Sequence, residues 1–204
     1  MRKSFNIPAA AALAAAIALA GAAYSQACVG RTLFIGYFDA PEQAMVANIL
    51  SVFIDERTGT TVKLSRFPTR AEAFEAVRKD RVSIYADYSS VILGMIPGEK
   101  PAPDLEKNFA RLKEVLSRDY NVVLLEPFGY DRYFTGKPKA GEMPGQAGVM
   151  VCKDAISKFP ALPKLLAKLR GALDNGTMAS LLAEAEKSDV KSVARRFLKS
   201  RRLI

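Results

Sequence analysis

Six aromatic rings fall in two short stretches and a loop of this sequence, with two carboxylates in the short stretches. Tyr37 and Phe38 stand in Ile35-Gly-Tyr-Phe-Asp39, Tyr85, Asp87 and Tyr88 in Ile84-Tyr-Ala-Asp-Tyr88, and Tyr130 and Tyr133 further on. Aromatic faces attract cations, most usefully quaternary ammonium groups that cannot donate hydrogen bonds, at ~0.5 to 2 kcal/mol per face. Asp87 would add a countercharge. The same rings serve as ordinary core packing, and spacing alone leaves both readings open. Catalysis has less to work with. The chain has no histidine, so serine–histidine and cysteine–histidine pairs are unavailable, and no Walker loop or Gly-x-Gly-x-x-Gly fingerprint occurs. Glu42 with Asp87 could form an acid–base pair, but carboxylates on caps and turns are mostly structural, and no nucleophile accompanies them. Two cysteines without histidine also argue against a zinc site. The reading is a non-enzyme without a cofactor.

The elements that must position these groups follow from periodicity. Residues 31–37 form an apolar strand, after which Asp39 with Glu42 offers a capping box and Pro41 suits the first helical turn. The helix carries Val46, Ile49, Leu50, Phe53 and Ile54 at 3.6 spacing and stops near Gly59. Thr61 to Phe67 alternates as a strand, Thr69 and Glu72 open a second helix, and Val82 to Ala86 forms a third strand ending at the Asp87 cluster. A short helix over Val91 to Ile96, a helix capped by Asp104, and a fourth strand from Asn121 to Leu125 come next. Residues 126–148 are rich in Gly and Pro and read as a long loop of the kind that is usually functional. Val149 to Cys152 is a fifth strand, and helices follow at about 160–171, 177–187 and 189–201. Alternating strands and helices predict an α/β domain, a doubly wound sheet with a helical C-terminal tail. If strands two and three flank strand one, the switch point brings Tyr37, Phe38 and Asp39 beside Tyr85, Asp87 and Tyr88.

The first 27 residues are expected to leave. Arg2 and Lys3, an apolar run of about 15 residues and Ser25-Gln26-Ala27 have the shape of an export signal, and the run is short of the ~20 residues of a spanning helix. Residues 28–204 then form a single domain in the periplasm or another exported location. Cys28 could carry a lipid or pair with Cys152; Ser25 in place of a leucine favours the disulfide, which an oxidising compartment permits. The net charge of +9 owes much to Lys187, Lys191, Arg195, Arg196, Lys199, Arg201 and Arg202. Such a run is a solvated face or, more sharply, a surface for anionic lipid or a membrane partner; an exported protein meets little nucleic acid.

Longer stretches carry a resemblance. Ile35-Gly-Tyr-Phe-Asp-Ala-Pro-Glu-Gln43 is similar to an I-G-S-K-x-F-T-E-Q turn, and Ile84-Tyr-Ala-Asp-Tyr-Ser-Ser-Val91 to L-Y-P-E-Y-T-G-T. Leu125-Glu-Pro-Phe128, Gly148-Val-Met-Val-Cys-Lys-Asp154, Phe159-Pro160 and Val193-Ala-Arg-Arg-Phe-Leu-Lys199 before Leu203-Ile204 extend the match over nearly all of residues 31–204. In these motifs the chain resembles the periplasmic substrate-binding proteins of osmoprotectant ABC importers, which capture glycine betaine, choline and similar compounds. The resemblance implies a type II binding-protein fold whose fifth strand runs antiparallel, a quaternary ammonium ligand and a membrane permease as partner. It implies a ligand site at Tyr88, the surviving cage aromatic, with Asp87, Tyr85, Phe38, Tyr37, Gln43 and Tyr133.

Departures accompany the match. Family members carry a second lobe where this chain has only residues 135–147, and the lysine and threonine implied to hold a ligand carboxylate fall on Phe38 and Val91. A reduced, open site with weak capture is the expectation. The alternative is a one-lobed scaffold that kept the fold for protein contacts.

Overall fold

The computed structural model describes residues 32–133, 136 and 140–204. Strands β1 (Leu33–Phe38), β2 (Val62–Phe67), β3 (Ile84–Tyr88), β4 (Val122–Leu124) and β5 (Ala147–Cys152) make one sheet in the order β2-β1-β3-β5-β4. β1 lies between β2 and β3 and is parallel to both, so the condition left open by the sequence is met and β1 is the switch strand. β5 runs antiparallel to β3 and β4, as the resemblance implied.

Helix α1 (Pro41–Thr58) follows β1. The expected stripe Val46, Ile49, Leu50, Phe53 and Ile54 is buried, but so are Met45, Ala47, Ser51 and Val52. A helix buried on most of its circumference lies between two layers: α1 packs on β1, β2 and β3 on one side and on the tail helices α7 (Asn175–Ala185) and α8 (Val190–Ser200) on the other. Gly59 ends it at φ 67°, where glycine carries no Cβ penalty. The expected Asp39 cap is not formed. The turn closed by the Ala40 N–H on the Phe38 carbonyl makes Ala40 the N-cap, with no side-chain bond, and places Asp39 one residue too early. Its carboxylate pairs with Arg66 of β2 instead.

Helix α2 (Arg70–Arg78) does begin with its expected cap, since Thr69 Oγ1 accepts from the Glu72 N–H at 3.2 Å. A right-handed crossover from β2 to β3 puts α2 on the face opposite α1. Phe74 of α2 meets Tyr120, just past helix α4 (Leu105–Asp119), at 6.4 Å. The short α3 (Ser89–Met95) precedes α4, which Asp104 caps through the Lys107 N–H at 2.9 Å. After β5 come α5 (Lys153–Lys158) and α6 (Leu162–Leu166), which tightens into a 3₁₀ turn over Ala167–Leu169. The tail helices start on caps the sequence reading did not assign, Asp174 and Asp189, which accept from Thr177 and Ser192. Their basic face is partly neutralised within the chain, by Arg195 on Glu56 at 3.0 Å and Arg196 on Glu184.

The long loop expected over 126–148 holds no helix or strand among its described residues until β5 begins at Ala147, but it is tied across by backbone bonds. Backbone bonds from Leu125 to Val149, Phe128 to Ala147, Ala147 to Tyr130 and Arg132 to Gly145 continue the β4–β5 pairing outward. Parts of the 135–147 segment, the 1–27 leader and Cys28 lie outside the described residues. Cys152 is buried, and burial pushes its thiol up to about 11. Among the described residues no helix is long and apolar enough to cross a membrane.

Candidate ligand site at the sheet edge

The pleat sorts the expected site residues before any contact is considered. Ile35 is level with Ile84 and Gly36 with Tyr85, and successive side chains alternate faces. Phe38, Tyr85 and Asp87 therefore belong to one face and Tyr37 and Tyr88 to the other, so Tyr37 and Phe38 cannot flank a ligand from the same side. Gly36 allows a tight approach here, since a Cβ would stand 3.1 Å from Val82 and 3.2 Å from Phe67.

On the first face Asp87, 2% exposed, accepts three hydrogen bonds. Arg70 Nε donates to Oδ2 at 2.8 Å, the Tyr85 hydroxyl donates to the same oxygen, and the Tyr88 N–H donates to Oδ1 at 2.8 Å. Burial pushes the Asp87 carboxyl upward, and Arg70 with the other donors works against it. Burial alone would lower the Arg70 guanidinium, but Asp87, together with Tyr85 and Glu42, holds it above its ordinary value. Three donors on the carboxylate favour the charged pair. The guanidinium also lies over the Phe38 ring, 4.5 Å from its centroid. Arg70 was missed by sequence reasoning. Its signal was its place, directly after the Thr69 cap at the C-terminal end of β2, on the same sheet edge as Phe38 and Asp87.

On the second face the Tyr88 ring meets Tyr130 edge-on at 5.9 Å, and Tyr130 stacks on Phe128 at 6.1 Å. Tyr88 is 4% and Tyr130 2% exposed, so these rings are core as well as edge. The Tyr88 hydroxyl is buried without a partner among the described residues, as are Ser89 Oγ and the Tyr133 hydroxyl. Burial, with Glu42 and Asp87 nearby, raises the Tyr88 phenol well beyond neutrality, and it remains an O–H group. Gln43, in the first turn of α1, is 3% exposed.

Tyr133 sits on the outgoing side of the loop beside Arg132, whose guanidinium lies 5.9 Å over its ring and pairs with Glu142 at 3.1 Å. Asp131 fixes this segment, accepting from the Tyr133 N–H and bonding Asn175 of α7. The returning segment presses on α3, where Gly145 has room for no Cβ: one would stand 2.4 Å from Ser90 Oγ. The structure thus brings Phe38, Tyr85 and Asp87 together through Arg70, and Tyr88 together with Tyr130.

A parallel β2-β1-β3 core, an antiparallel strand returning beside β3 and helices on both faces define an α/β fold similar to type II periplasmic binding proteins. The family described as the substrate binding domain of ABC-type glycine betaine transport systems matches residues 31–136 and 114–200, and the chain belongs to that family, which is one of transport proteins and not an enzyme class. Three solved structures share the fold. A glycine betaine/carnitine/choline ABC transporter structure superposes with a TM-score of 0.75 at 12% identity, covering 84% of this chain and 99% of that one. Apo YehZ from Escherichia coli gives 0.73 at 12% identity, covering 86% and 100%. Lactococcal OpuAC, closed on glycine betaine, gives 0.55 at 10% identity, covering 84% and 96%. No curated protein sequence matches this one.

Proposed function

We propose that this protein is the exported substrate-binding component of an ABC importer, that it loses residues 1–27, and that it presents a quaternary ammonium compound to a membrane permease. The observation that carries the reading is that the switch-point edge holds the Asp87 carboxylate and the Phe38 ring on one face and the Tyr88–Tyr130 pair on the other, in a chain whose family is that of ABC-type glycine betaine transport. Aromatic faces and a carboxylate at that edge of the sheet are the chemistry an ammonium group needs. With one sheet and no second lobe among the described residues, capture is weak, around millimolar, which is only ~4 kcal/mol. Calorimetry with choline and glycine betaine, repeated on Tyr88→Ala, tests this. Weak heats lost in the variant support it, and tight betaine binding would show that the site closes.

The scaffold reading draws on one observation of its own. Arg70 already neutralises Asp87, and the Tyr88 and Tyr130 rings are packed against each other. Absence of binding by both ligands, with a permease or other partner recovered by cross-linking, would favour it. The Cys28–Cys152 bridge belongs to the same proposal of export. Two titratable thiols on unfolded protein prepared without reductant would remove it.

A further inference from the structure

The group that the sheet edge would offer a cationic ligand is already occupied by a cation of the chain itself. Arg70 stacks on Phe38 at 4.5 Å and pairs its charge with Asp87 at 2.8 Å, and a ligand ammonium would make the same cation–π contact and the same charge pairing there, without the donated hydrogen bond. Helix stability does not explain its position. Arg70 is the first residue of α2, where the helix dipole disfavours positive charge. Nor is it fully enclosed, because its side chain is 30% exposed. Glu42, in the first turn of α1, interacts electrostatically with Arg70 and offers it a second partner if it swings away from Asp87.

We infer that Arg70 is a tethered competitor, so that ligand capture at this edge is an exchange in which the guanidinium leaves Phe38 and Asp87 and the ligand cation takes its place. The inference rests on the proposed ammonium site and makes Arg70 its specificity-determining residue. Only the fraction of molecules with Arg70 displaced is competent to bind, and apparent affinity falls by that fraction. A zwitterion gains from the exchange what choline does not, since its carboxylate can follow the displaced guanidinium.

The test uses the full mature chain with Arg70→Met, which keeps the length and removes the charge, and Arg70→Lys, which keeps a charge on Asp87 should the first variant fold poorly. Choline is titrated by calorimetry, and guanidinium at millimolar concentration is added during thermal unfolding. The expected result is a choline affinity at least about tenfold higher in Arg70→Met than in the native protein, with Arg70→Lys between them and the gain lost when Phe38→Ala is added. Guanidinium raises the melting temperature of Arg70→Met and leaves the native protein unchanged. Equal choline affinity in all three proteins overturns the competitor role while the ammonium site stands. If none binds choline but guanidinium rescues Arg70→Met, the cation site is real and the ammonium reading fails. Failure of both choline gain and guanidinium rescue overturns the inference.

Discussion

The two ends of the sheet are opposites. At the C-terminal ends of β1 and β3 the chemistry is dense and the space is filled, with a buried carboxylate, its arginine and interlocked rings. At the other end, a pocket of about 480 Å³ opens between the start of β1, the end of α1 and α6, lined mainly by Leu33, Ile54, Phe159, Leu162 and Leu165. Arg57 and Lys168 border it, and neither has an ion pair among the described residues. Space at one end is apolar and undirected, while recognition groups at the other hold one another. In this fold an available volume and a place of recognition have come apart, and stability should be sensitive at the filled end and indifferent at the open one.

The sharpest break of that contrast is Arg70→Met. It strands the fully buried Asp87 carboxylate, at an expected cost of ~3 to 5 kcal/mol in denaturant unfolding. The loss should depend on pH. Burial already holds the native Asp87 carboxyl above its ordinary value, and with Arg70 gone it acts without its main opponent and raises the folded-state value further. A raised carboxyl favours the folded state when protonated. The variant is therefore most stable below the ordinary carboxylate range near ~3.9 and weakens as pH rises through the folded value. Unfolding midpoints that are flat with pH would contradict this.

A smaller break at the same end is Tyr85→Phe, which removes one donor from Asp87 without a cavity and should cost ~1 to 3 kcal/mol by the same measurement. The open end sharpens the comparison. Lys168→Ala should change the midpoint by no more than ~0.5 kcal/mol, since its side chain is exposed and unpaired among the described residues. A loss there comparable to that of Tyr85→Phe would erase the distinction between the ends.

Local signals were legible where one stretch of backbone settles the outcome. Thr69 with Glu72, Asp104 and Gly59 all act as their residue types require, because a cap is decided within four residues. Asp39 shows the limit of that rule. A tight turn at Phe38 and Ala40 moved the helix start by one residue, and Arg66 on the neighbouring strand took the carboxylate. The sheet edge was legible as a place on the condition that strands two and three flank strand one, and the observed strand order meets that condition. Its internal wiring was not. Arg70 and Asp87 are 17 residues apart and meet only once β2, α2 and β3 are folded, and the split between Tyr37 and Phe38 needed the observed register. The 126–148 stretch was legible as a loop from its Gly and Pro content up to Gln146; composition did not show that β5 starts at Ala147 or that backbone bonds tie the loop across.

The position of β5 has a consequence for how the chain reaches this state. It is the last strand synthesised, yet it stands between β3 and β4, and β4 has no other partner in the sheet. The β1-α1-β2 and α2-β3 units can form from near neighbours, but the ladder closes only when residues 147–152 arrive from far along the chain, and such distant pairings set the slow step of folding. β5 and the helices after it thus behave as a keystone piece. Supplied as a separate polypeptide, it has every backbone pairing it needs to complete a sheet already laid out by the first three strands.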